Sequence, residues 1–238
     1  MAIESRAVAG TYDRISFGHK NEVLMGYEYE IDNHKYDDDY GAKPENKAPL
    51  PSRFQGRFES LGGSMGFEIK SPVAPLQYHK LRAAILFQKL DFSTGTRNNG
   101  GIHVHVTRPD RRTIWPSHHR DLPPVDVKIF EFMHDRSVKD KFLFPISGRS
   151  RYSFDEYCGG SRWSAHYGII NYRRDNYEIR VFKAKTHLLI PALEFCDGLF
   201  SYAYSKDKPF DITVDGLITY FHRHKKYSNI CKVIRDSL

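Results

Sequence analysis

The chain has 238 residues, enough for one large domain with a substantial core, and 40% hydrophobic with 14% aromatic content excludes a disordered polymer. Lys and Arg outnumber Asp and Glu by 36 to 29, and the resulting +7 favours an anionic partner such as a nucleotide, an acidic metabolite or nucleic acid. Cys158, Cys196 and Cys231 are widely separated, which argues for a reducing compartment and against a disulfide framework or a thiolate zinc site. No apolar run approaches membrane-spanning length, and the N-terminal stretch, with Glu4 and Arg6, does not read as a secretory signal. A soluble cytoplasmic protein is expected.

Residues 1–20 carry no assignable period. Residues 23–31 predict a strand, and 32–57, polar and rich in Asp, Lys and Pro, a long loop containing Asp37, Asp38 and Asp39. A turn at 60–64 leads into a second strand, 66–71, which Pro72 and Pro75 end. Residues 76–90 space Leu81, Ile85 and Leu86 as a helix that would cover the sheet. Asn98, Asn99, Gly100 and Gly101 open a third strand through Val106, and a polar linker, 108–120, follows it. Pro123 and Pro124 start a helix over 126–132, because proline is tolerated in a first helical turn. Residues 139–163 interleave basic with aromatic side chains, a pattern that can stack bases but more often divides into core and wet surface. Residues 167–172 and 177–182 predict a hairpin, and 188–204 and 214–221 two amphipathic helices. The basic run from His222 to Lys226 reads as a solvated helix end. No repeat or composition shift divides the chain, so residues 1–238 are read as a single domain.

The predicted strands share an unusual code. With a period of two, Glu28 and Glu30 oppose Tyr27, Tyr29 and Ile31, while His103 and His105 oppose Ile102, Val104 and Val106. Glu178 and Arg180, with Phe182, oppose Tyr177, Ile179 and Val181, and Glu68 pairs with Lys70. Carboxylates repelling one another in mid-strand have a cost that a bound cation removes. Hard divalent cations take carboxylate oxygen, imidazole can join the shell, and the planar fork of Arg180 suits a phosphoryl group. The bland readings are solvated Glu-x-Glu pairs, a salt bridge for Arg180 and structural histidines, His105 above all. Arg173 and Arg174 are candidates for anion contact, although turns commonly hold solvated arginines. Neither a P-loop nor a Rossmann glycine pattern is present, and nothing local activates Cys158.

The order Gly-x-Glu-x-Glu (Gly26, Glu28, Glu30), Gly-x-Glu-Ile-x-Ser-Pro (Gly66, Glu68, Ile69, Ser71, Pro72), Asn-x-Gly-Gly-x-His-Val-His-Val (Asn98 to Val106) and Glu-x-Arg-x-Phe (Glu178, Arg180, Phe182) resembles the amidoligase family. These are carboxylate–amine ligases of the glutamine synthetase/glutamate–cysteine ligase superfamily, common in phages and bacteria. The resemblance runs from Gly26 to Phe182. It implies an α+β fold, a glutamine synthetase-like antiparallel sheet with helices packed on its apolar face. It also implies an ATP- and Mg²⁺-dependent ligase, with Mn²⁺ as an alternative ion, that joins a carboxylate to an amine.

By position, Glu28, Glu30 and Glu68 resemble the family's metal carboxylates, and His103 and Glu178 the ligands of a second metal. Arg180 resembles its phosphate-contacting arginine. Arg149 or Arg151, before Tyr157 and Cys158, matches its Arg…Tyr-Cys segment, and Asn171 the asparagine before the Glu-x-Arg strand. Lys70 departs from the family, whose members usually carry an apolar residue there, and residues 108–122 are atypical. A phage-encoded member would act in the bacterial cytoplasm, on substrates that include groups on a protein or nucleic acid, and members can be oligomeric. Two other readings stand beside this one: a metal-dependent hydrolase or nuclease using the His/Glu cluster, and a non-catalytic basic nucleic-acid binder.

Overall fold

The computed structural model describes residues 2–4, 14–16, 22–31, 57–60, 67–89, 101–107, 122–135, 169–172, 176–206 and 208–237. For 2–4, 14–16, 31, 57–60, 67–68, 84–89 and 172 the backbone alone is described. The elements are β1 (Ala2–Glu4), β2 (Arg14–Ser16), β3 (Leu24–Ile31), β4 (Arg57–Ser60), β5 (Phe67–Lys70), β6 (Ala74–Pro75), α1 (Leu76–Lys89), β7 (Gly101–Thr107), α2 (Pro124–His134), β8 (Ile170–Tyr172), β9 (Asn176–Lys183), α3 (Thr186–Ala203), α4 (Val214–Arg223) and α5 (Ser228–Arg235). The fold is mixed helix and strand, as expected. Its main sheet runs β4-β5-β3-β7-β9-β8, every pairing antiparallel, with β6 also on β3. β1 and β2 pair within the lead-in that showed no period, and β4 begins at Arg57, the last residue assigned to the long loop.

One face of the sheet is apolar. Met25, Tyr27 and Tyr29 of β3, Ile102, Val104 and Val106 of β7, and Tyr177, Ile179 and Val181 of β9 join a single buried cluster with α3. α3, expected from the sequence to be amphipathic, is instead buried nearly all round and packs on β3, β7 and β9, because a helix laid on the sheet is covered in turn by the other helices. Its two internal acids are used structurally. Glu194 accepts from Ile230 N and Asn229 Nδ2, both at 2.7 Å, and pairs with Lys80; Asp197 accepts from Tyr227 Oη at 2.8 Å and Lys226 Nζ at 2.7 Å. These contacts dock α5, which was not among the expected helices although Ile230, Val233 and Ile234 stand at helical spacing on its buried side.

Two expectations are corrected. Leu81 does not cover the sheet but is 66% exposed, because the buried stripe of α1 runs through Leu76, His79 and Ala83. Phe182 does not share a face with Glu178 and Arg180. Ile102 pairs with Phe182 and Val104 with Ile179, so β9 sets Arg180 and Val181 against His103 alone. This β-bulge breaks the alternation between Val181 and Phe182, so that both lie in the buried cluster. Phe182 therefore turns to the core, where its ring meets Phe195 of α3 edge-on at 5.9 Å. The helices expected over 76–90, 126–132, 188–204 and 214–221 form close to those bounds.

Candidate metal centre

The opposite face of the same sheet carries the charged residues, and register decides which of them meet. Glu28 of β3 stands opposite Lys70 of β5 on one side and His103 of β7 on the other. His105 stands opposite Glu178 of β9, and Glu178 opposite Asn171 of β8. Residues directly opposed in a ladder share a face, so one row joins Lys70, Glu28 and His103, and a second joins His105, Glu178 and Asn171. Glu68 is placed by its backbone, opposite Glu30 and Glu59.

Side-chain geometry closes the two rows on each other. His103, nearly fully buried, lies among three carboxylates: its Nδ1 is 3.5 Å from Glu28 Oε2 and 3.7 Å from Glu178 Oε1, and its Nε2 is 3.5 Å from Glu30 Oε1. Opposite His105 the partner strand has Gly26, which leaves room, and the imidazole leans diagonally so that Nε2 is 3.4 Å from Glu28 Oε1. The Arg180 guanidinium donates to Glu178 Oε1 at 2.9 Å, and Asn171 Nδ2 donates to Glu178 Oε2 at 3.4 Å. Lys70 Nζ is 3.2 Å from Glu28 Oε1. Gly101 N donates to Glu30 Oε2 at 2.8 Å, and a Cβ at Gly101 would lie 3.3 Å from His103 Nε2. The glycine before the histidine strand thus gives the imidazole its space.

Burial pushes the Glu28 carboxyl toward higher pKa. Hydrogen bonds with His103 and His105, and the charges of His105 and Lys70, outweigh burial and hold it well below the usual carboxylate range. Glu28 is therefore a ready anionic ligand. Among the described residues, Glu28, His105 and Glu178 each offer a ligand atom within 4.8 Å of one another. Two carboxylates and an imidazole are a donor set that suits Mg²⁺ or Mn²⁺ and equally Zn²⁺. Asn171, itself buried, has an Oδ1 with no hydrogen-bond partner among the described residues, a further neutral oxygen beside Glu178.

Most of the residues singled out in sequence are brought together: Glu28, Glu30, His103, Asn171, Glu178 and Arg180 share one patch, with Glu68 at its register position. The member whose role changes is His105, read as structural, which completes the three-ligand group while His103 bridges carboxylates. Lys70, grouped with Glu68 by alternation and noted as a departure from the resemblance, contacts Glu28, the central carboxylate. Arg149, Arg151, Arg173, Arg174, Cys158, Asp37 to Asp39, most of the 32–57 loop, and the 108–120 and 139–163 segments lie outside the described residues. Compared with protein-family models and with curated proteins, the chain matches none. No helix among the described residues is long and apolar enough to cross a membrane.

Proposed function

We propose that the chain is an ATP- and Mg²⁺-dependent carboxylate–amine ligase, with Mn²⁺ able to replace Mg²⁺, built on a glutamine synthetase-like sheet. The observation that carries this reading is the meeting of Glu28, His105 and Glu178, from three separate parts of the chain, beside the anchored guanidinium of Arg180. A divalent ion bound there supplies positive charge to nucleotide phosphates. Glu28, His105 and Glu178 would hold it, and Glu30 extends the carboxylate set, with Glu68 opposite it in register. Arg180, fixed by Glu178, would meet the charge on a transferring γ-phosphoryl group.

In the reaction so proposed, a substrate carboxylate oxygen bonds to the γ-phosphorus as the bond to the ADP oxygen breaks. The amine nitrogen then bonds to the acyl carbon as phosphate leaves, and the nitrogen's proton passes to solvent. Positioning and electrostatics carry both steps, so no protein nucleophile is required. The described thiols suit that reading: burial, then the charge of a neighbouring acid, raises the pKa of Cys196 and of Cys231. Glu28→Gln is expected to abolish amine-dependent phosphate release from ATP while leaving the circular dichroism spectrum unchanged. Undiminished turnover in that variant would sink the assignment.

The participation of His105 favours one second reading, a metal-dependent hydrolase, because imidazole with two carboxylates also activates water on Zn²⁺ or Mn²⁺. Hydrolysis that needs neither nucleotide nor amine would select it.

A further inference from the structure

Glu28 Oε1 faces two nitrogen groups, His105 Nε2 at 3.4 Å and Lys70 Nζ at 3.2 Å. The lysine is aimed there by the backbone, since Lys70 stands directly opposite Glu28 in the β3–β5 ladder. Its ammonium is a positive charge that cannot diffuse away from the Glu28 carboxylate, which also belongs to the three-ligand group. On the other side of the group Arg180 already neutralises part of Glu178. A divalent ion ligated by Glu28 Oε1 would lie within a few ångströms of the lysine, and like charges at that range repel strongly even when screened by water. The ion must either displace the ammonium or bind against it.

From this juxtaposition we propose that Lys70 is a tethered counter-ion that competes with the divalent metal for Glu28 Oε1 and so sets the metal affinity of the centre. The inference rests on the metal reading of the site. In the ion's absence Lys70 limits repulsion among Glu28, Glu30 and Glu178. On loading, the side chain, four methylenes long and partly exposed, swings toward solvent.

The test is a titration of the full chain with Mn²⁺ alone, read by calorimetry and by the electron paramagnetic resonance signal of free Mn²⁺. Lys70→Met and Lys70→Gln are expected to lower the Kd about tenfold or more, whereas Lys70→Arg, which keeps the charge, stays near the parent value. Thermal melts of each variant report folding separately. Equal affinity in the parent and all three variants, with binding lost in Glu28→Gln, overturns the role of Lys70 and leaves the metal centre standing. No Mn²⁺ binding by the parent or by any of these variants overturns both.

Discussion

The Glu178–Arg180 pair shows why single side chains matter at this site. Both are almost fully buried, and their 2.9 Å contact offsets the cost of taking two charges out of water. Removing one partner leaves the other buried with less compensation. Arg180→Met, studied with chelator present, is therefore expected to lose about 3 kcal/mol of unfolding free energy. The double variant Arg180→Met/Glu178→Leu, which removes both charges, should recover a substantial part. Urea midpoints measure both, and a double variant no more stable than Arg180→Met would show that burial of the acid without its guanidinium is not the cause. Sequence alternation was enough to put Glu28, Glu30, His103, His105, Glu178 and Arg180 on one face. It could not decide between the two histidines, because both face the same way. What distinguishes them is the strand register, which sets side-chain-free Gly26 opposite His105 and Glu28 opposite His103.

At the level of elements, long periodic segments were legible and short ones were not. The strand carrying Glu28 and the helix that became α3 declare themselves by repeated apolar positions. β1, β2 and β4 are too short to show a period and exist through their partners, whereas α5 does show one, with Ile230, Val233 and Ile234 at helical spacing over two turns. The bulge in β9 has no marker, since Arg180, Val181 and Phe182 read as ordinary strand residues. The contact of α3 with α4 is likewise invisible in sequence. A Cβ on Gly198 of α3 would lie 2.1 Å from Phe221 Cε1 of α4, a ring 1% exposed with little freedom to move. In an isolated helix Gly→Ala gains about 1 kcal/mol. Here overpacking, worth about 1–3 kcal/mol, opposes that gain. Gly198→Ala is expected to lower the urea midpoint, and pairing it with Phe221→Leu should restore part of the loss. A Gly198→Ala protein more stable than the parent would mean that the two helices separate without cost.

The whole molecule depends on the helix layer staying fixed to the apolar side of the sheet, and one buried histidine makes that attachment sensitive to acid. His79 of α1 hydrogen-bonds through Nε2 to Met25 O of β3 at 2.6 Å, and the rings of Tyr27 and Tyr78 lie edge-on to it. Burial pulls its pKa down to about 4 from the ordinary 6.5, against hydrogen bonds to Met25 and Ala74 that act upward. Above pH 6.5 the group is neutral in folded and unfolded chains alike, and it adds no pH dependence. Between 6.5 and about 4 the unfolded chain binds the proton and the folded chain does not, so unfolding free energy falls as the pH falls. Below about 4 both states are protonated and the slope from this group ends. The full drop corresponds to roughly 3 kcal/mol. His79→Gln keeps an N–H donor for Met25 O but does not titrate, so its stability should decline less steeply than that of the parent across this window. Urea unfolding at half-unit steps from pH 7 to pH 4 measures the difference. Parallel curves for the two proteins would assign the acid sensitivity to groups other than His79.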